Sequence, residues 1–413
     1  EEDLGGIIDS TTLITGFTIQ NGNAQGDFPY YDGGGIFLLH SSPTLTGVTF
    51  SKNTADHNGG GMFFYSSNPT LTNVAFSNNS ADLGGGGIYL YESSSTLTDA
   101  TFSDNTAEAG GGMYLYKSSA TLTDVTFNGN TVDHYGGGIR LSNSNSTLTD
   151  VTFHSNTAEV SGGGLDAKYS NIQITSSDFL NNSVYSTVGS TFGGGLSYFN
   201  PNSADNDSFF VSIRDSKFNY NVAATTENSS YAMGGGISIG QWEDNSIINV
   251  NISNCRINNN SSTSYAGIRI MGENIDFVLD SIQVMYNEAL YYSSAGGFDG
   301  CSGSVKSSIF SYNIISTSNF QTASALGVLD GANVDFINNT FSNNSTFNGG
   351  ALSILTDGES SATNCIFWRN IPYQIVLTSR DGLGGYFSAA FSDIQNGIDS
   401  IIVTDSLSIL DYG

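Results

Sequence analysis

The sequence predicts an all-β fold, a right-handed parallel β-helix: a solenoid with about three short strands per coil and a repeat of ~26 residues. Three observations carry that prediction. Near-copies follow one another, with Gly85–Asn105 reading GGGIYLYESSSTLTDATFSDN, Gly110–Asn130 GGGMYLYKSSATLTDVTFNGN and Gly136–Asn156 GGGIRLSNSNSTLTDVTFHSN. Glycine triplets begin at Gly33, Gly59, Gly85, Gly110, Gly136 and Gly162, in steps of 26, 26, 25, 26 and 26 residues. Within each copy the apolar residues alternate with a period of two, as Ile139 and Leu141 flank Arg140, and that is strand rather than helix spacing.

The residues of a copy fall into place on this basis. After the glycines comes a strand, then a Ser/Asn turn, then a second strand through the Leu of TLT, and a third ending at an aromatic. Those aromatics are Phe50, Phe76, Phe102, Phe127, Phe153 and Phe179. Three places on stand Asn53, Asn79, Asn105, Asn130, Asn156 and Asn182, read as a hydrogen-bonded ladder at a tight corner. The glycines are read as serving a turn that needs positive φ. Strands this short cannot bury a face alone, so each copy must stack on the next at about 4.8 Å.

Taken in order, residues 1–32 form a partial N-terminal coil and a loop with Asp27, Pro29 and Asp32. Residues 33–182 are the regular coils, 183–363 are coils with longer insertions, and 364–413 are irregular C-terminal coils. The insertions fall chiefly at Ser183–Phe192, Asn200–Ser208 and Ala223–Met233, where specificity is expected because solenoid insertions collect on the surface. The chain opens EEDLGGIID without a leader pattern, as expected of a mature product or part of a longer chain. It closes at SLSILDYG with no polar cap, so a following or covering element is expected.

Composition narrows the functional classes. With 11 Lys+Arg against 38 Asp+Glu, a formal charge of −27 argues against nucleic-acid and anionic-membrane partners, which need a basic face. No apolar run approaches a membrane span. Of the 3 cysteines, Cys255 and Cys365 take the place that Val48, Val74, Val125 and Val151 hold in other copies, so they are read as small core fillers.

The GGG-I/M-x-L…TLT-x-V-x-F-x-x-N unit resembles the right-handed parallel β-helix repeat proteins of bacterial cell surfaces, including relatives of the polymorphic outer-membrane proteins. GFTIQNG near the start and NCIFWRN…FSDIQNG near the end are similar to large secreted β-helix proteins. The resemblance covers nearly the whole chain. It implies an extracellular or outer-surface location and a structural or adhesive role, through self-association, another surface protein or an extracellular polysaccharide. The same fold, pectate-lyase-like, also carries polysaccharide lyases and hydrolases, so an enzyme is the alternative reading; a passive stalk of a longer protein is a third. The pectin-hydrolase motifs are missing: Arg269-Ile270 is followed by Met271 rather than Lys, and the basic residues are scattered. No catalytic residue is assigned, Asp166 and Lys168 being the least implausible pair because they alternate outward on one strand.

Two pairs of files, one pair aromatic and one acidic, remain as candidate sites. Phe37, Phe63, Tyr89 and Tyr114 occupy one outward position of the first strand, and Tyr65, Tyr91 and Tyr116 the next. Together they are expected to form an exposed aromatic patch for a partner or a glycan. Asp56, Asp82, Glu108, Asp133 and Glu159 recur three residues past the ladder asparagine, and like charges so spaced either splay or share Ca²⁺. Asp99, Asp124 and Asp150 form a shorter acidic file of the same kind.

Overall fold

Repetition dictates pairing: identical segments one coil apart are the partners in register. In the computed structural model each strand pairs in parallel with its counterparts in the neighbouring coils. The structure describes residues 8–27, 30–201, 207–226, 231–242, 245–317, 324–355, 359–378, 384–404, 406 and 408–412. Pro29 and the tips 202–206 and 227–230 of two expected insertions lie outside them. The chain forms two compact units, one ending at Val184 and the other starting at Tyr185.

In the first unit, strand Ile88–Tyr91 pairs with Met62–Tyr65 on one side and Met113–Tyr116 on the other. Ser94–Ser103 pairs along nearly its whole length with Ser119–Asn128, matching Leu97 to Leu122 and Phe102 to Phe127. A further strand, Thr106–Ala109, closes the coil against Thr131–Tyr135. The corners are left-handed residues, Gly85, Glu92, Asp99 and Asp104, with φ between 48° and 65°. This gives Asp99, Asp124 and Asp150 a local reason for being there, because short polar side chains tolerate that backbone. The left-handed residue lies one place before each ladder asparagine, at Asp104 and not Asn105.

The three glycines of a triplet do different work. Gly110 has φ 63°, whereas Gly111 and Gly112 are needed for close approach. A Cβ on Gly111 would stand 2.5 Å from the Gly137 carbonyl oxygen, and one on Gly112 would stand 2.5 Å from the Phe127 ring. Neighbouring coils are that tightly nested, so the triplet is a packing requirement as much as a turn.

Inside, Phe50, Phe76, Phe102, Phe127, Phe153 and Phe179 stack with centroids 4.5–5.1 Å apart and near-parallel planes. Ala81, Ala107, Val132, Ala158 and Val184 form a buried file of small residues just past the asparagine corner. Ser67, Ser93, Ser118, Ser144 and Ser170 form a second polar ladder, in which each hydroxyl oxygen accepts the backbone N–H of the serine one coil before at 3.0–3.1 Å.

The second unit keeps the same logic with looser spacing. Ile237–Trp242 pairs with Leu196–Pro201 and with Ile268–Met271, and Ile268–Met271 with Ser293–Asp299. The asparagine ladder runs Asn221, Asn260, Asn287, Asn313, Asn344 and Asn370. It ends where Asn370 Nδ2 donates to Gln374 Oε1 at 2.7 Å, a longer side chain standing in for the missing asparagine. Cys255, Cys301 and Cys365 are free and buried, and Cys255 Sγ sits 3.1 Å from the Ser253 carbonyl. One 3-10 turn, Gly397–Ser400, is the helical exception to the strand pattern among the described residues.

Candidate functional site

The aromatic files exist in the expected register: Phe37, Phe63, Tyr89 and Tyr114 align across coils, as do Tyr65, Tyr91 and Tyr116. The exposure expected for the first file requires correction. Phe63 is 4% exposed, and Phe37, Tyr89 and Tyr114 are at most half-exposed. The cause is the doubling back of the chain at the glycines. The residue preceding each triplet lies over the outer side of the first strand, and Asn58 bridges to Gly84 and Gly84 to Ala109 in a ladder of its own. A Cβ on Gly84 would meet the Tyr114 ring at 2.6 Å and the Tyr89 ring at 2.9 Å. Burial pushes the Tyr89 hydroxyl well above the usual phenol range. Tyr65, Tyr91 and Tyr116 stay half-exposed, with centroids 5.0 and 5.6 Å apart.

Further along the covered position stand Arg140 and Asp166, 6% and 2% exposed, and they form an ion pair. Ser161 donates to the other carboxylate oxygen of Asp166, and the Arg140 guanidinium lies 4.3 Å above the Tyr135 ring. Burial pushes the Arg140 pKa down, and Tyr114 and Tyr135 oppose it. Asp166 is therefore committed inside the fold and does not stand free beside Lys168 as an outward pair would require. Lys168, half-buried, has its ammonium pKa lowered by burial and then by Arg140.

The acidic file lies on the surface. Asp56, Asp82, Asp133 and Glu159 are exposed, while Glu108 is half-exposed and accepts from or pairs with His134 Nδ1 at 2.9 Å. Among the described residues no three His, Cys, Asp or Glu side chains converge as a metal ion would need. At the start of the array, buried Asp32 accepts the Asn58 N–H at 2.9 Å and faces His57 Nδ1 at 3.1 Å. Desolvation raises the Asp32 pKa, and the Asn58 and His57 contacts partly offset it.

The second unit holds a feature the sequence reading missed. An open groove of about 810 Å³ is lined by Gln241, Trp242 and Asn245, by Met271, Gly272, Glu273 and Asn274, and by Asp299, Gly300 and Asp330. These are the ends of successive first strands and the turns after them. Gly240, Met271, Asp299 and Leu329 are in register, so each coil contributes one rung. The Gly272 N–H donates to the Asp299 carbonyl at 2.9 Å and the Gly300 N–H to the Leu329 carbonyl at 3.2 Å, which locks the turns on one another. Gly300 takes the left-handed backbone, φ 65°, at the turn after its strand.

Trp242 is 55% exposed, an unusual position for so large an apolar ring. It is held by Phe199 of the preceding coil, whose ring meets it edge-on at 5.3 Å and 86°. Arg269 is buried, with its guanidinium against the sulfur of groove-lining Met271 and the Phe192 and Tyr265 rings 6.0 and 5.9 Å away. Its pKa is lowered by burial, with Tyr265 and Asp299 acting against that. The signal in the sequence was the series Gln241-Trp242, Gly272-Glu273, Asp299-Gly300 and Asp330-Gly331 after successive first strands. Coil lengths vary there, and the shared register is visible only once the strands are paired.

A family model described as the right handed beta helix region matches residues 5–132 and, in an overlapping match, 87–282. A comparison with curated proteins finds no match. Among solved structures, a crystal structure of pectate lyase Pel9A is similar at 12% identity and a TM-score of 0.29, covering 83% of this chain and 70% of that one. With most of its length matched by that model and its strands paired coil on coil, the chain belongs to the right-handed β-helix family.

Proposed function

We propose that this β-helix protein is extracellular and contacts a glycan through the groove of its second unit. The observation carrying this reading is Trp242, an exposed indole braced by Phe199 in a groove lined also by amides, carboxylates, Met271 and two glycines. A flat apolar ring beside Asn, Gln and Asp side chains suits a sugar, which presents C–H faces and hydroxyls together. The acidic composition accords with display outside the cell. Self-association or a contact with another surface protein through the half-exposed Tyr65, Tyr91 and Tyr116 would be an additional, separate contact. The test is retardation in native gels containing soluble polysaccharides. The wild-type protein is expected to be retarded by at least one glycan and Trp242→Ala to run freely; no retardation by any glycan would refute the reading.

A second reading, cleavage of the bound chain, would draw on Glu273, Asp299 and Asp330, which line the same groove. New reducing ends or unsaturated products, lost in Glu273→Gln, would establish it.

A further inference from the structure

We infer that the groove selects a cationic glycan, an extended chain of amino sugars carrying protonated amines, lying parallel to the stack of coils. This inference rests on the glycan reading above and adds the charge of the ligand and its direction. The direction follows from the register, because the groove is assembled from four successive coils with Trp242 on the first and Asp330 on the last. Adjacent coils are about 4.8 Å apart, close to the length of one sugar in an extended chain, so successive sugars meet successive rungs.

The charge follows from the lining. Glu273, Asp299 and Asp330 line the groove, and no Lys, Arg or His stands among its described lining residues. Arg269, whose guanidinium reaches the Met271 sulfur, lies near enough to Asp299 to offset part of its charge, leaving Glu273 and Asp330, both exposed, as the uncompensated carboxylates. A polyuronate would place like charges against them in a protein already at −27. Glu273, Asp299 and Asp330 belong to three successive coils, so the carboxylates are separate contacts, one rung after another. Ammonium groups two sugars apart stand on the same side of an extended chain and answer Glu273 and Asp330, which lie two rungs apart, while Trp242 stacks on a sugar face at the end of the row.

The experiment is titration calorimetry with three oligosaccharides of equal length, at a pH where glucosamine is protonated: a glucosamine hexamer, its fully N-acetylated neutral counterpart and a galacturonate hexamer. The glucosamine hexamer is expected to bind about tenfold more tightly than the neutral one, as two or three exposed charge pairs allow, with the galacturonate hexamer weakest. Glu273→Gln/Asp330→Asn should remove the advantage of the glucosamine hexamer over the neutral one, whereas Trp242→Ala should weaken both. Asp56→Asn/Asp82→Asn, the same charge change made in the first unit, should have no effect. Equal or tighter binding of the neutral or acidic hexamer overturns the inference while leaving the glycan reading intact, and so does an equal loss in Asp56→Asn/Asp82→Asn, which would reduce the effect to general charge attraction. No binding of any hexamer, with Trp242→Ala indistinguishable from wild type, overturns both.

Discussion

Asn130 Oδ1 accepts both the backbone N–H and the side-chain Nδ2 of Asn105, each at 3.0 Å, one coil away. Asn105 Nδ2 also donates to the Phe76 carbonyl at 3.0 Å, and Asn130 in turn donates to Asn156. Both residues are fully buried, so the ladder satisfies a corner that water cannot reach.

Asn130→Ala should therefore cost about 3 kcal/mol or more, because several buried groups lose partners at once. Thr121→Ala, on the outer surface of the same coil, should cost under about 0.5 kcal/mol. Urea denaturation of the two variants measures the contrast. Equal effects would mean that the ladder does not carry the corner.

The Arg140–Asp166 pair is buried among Tyr114, Tyr135 and Ser161. Asp166→Ala should destabilise by about 3–5 kcal/mol by leaving the guanidinium uncompensated, while Arg140→Met/Asp166→Leu should recover most of the loss. Thermal melts of both variants decide it. Any glycan binding should survive in the double variant.

Burial pushes the Cys255 thiol up to about 11 and the Cys301 thiol up to about 12. Native protein should leave these thiols unreactive to thiol reagents at pH 8, and denatured protein should titrate three. The sign for stability follows. An unfolded thiol loses its proton above about pH 8.5, and the folded one holds it longer. Their contribution is thus fully present below that pH and lost as pH rises toward 11–12. Replacing both with Ser or Ala should flatten the alkaline limb of a stability–pH curve.

Asp56, Asp82, Asp133 and Glu159 stand exposed in one file, with Glu108 drawn to His134. Splayed into water, they should leave the melting temperature within about 2 °C between calcium and EDTA, as expected of exposed charges. A rise of many degrees with calcium, lost in Asp82→Asn/Asp133→Asn, would establish shared cations instead.

The fold was legible because repetition states it: the triplets, the Phe file and the Asn file mark the register, and the structure pairs those residues. What escaped notice was what lies over a strand. The alternation that put Tyr89 and Arg140 outward was right, but a period of two cannot tell solvent from the returning chain, and the residues before the triplets cover that face. The serine ladder went unread because Ser in a turn looks like an ordinary turn residue. The groove escaped for the opposite reason: its residues do not repeat, and Trp242, Glu273 and Asp330 become neighbours only through coils of unequal length.

Native affinity electrophoresis of wild type, Trp242→Ala and Tyr91→Ser/Tyr116→Ser, run side by side in a polysaccharide that retards the wild type, addresses the central claim most directly. The groove account predicts free migration of Trp242→Ala and unchanged retardation of the tyrosine variant. Retention of Trp242→Ala together with release of the tyrosine variant would contradict it and return the binding surface to the first unit.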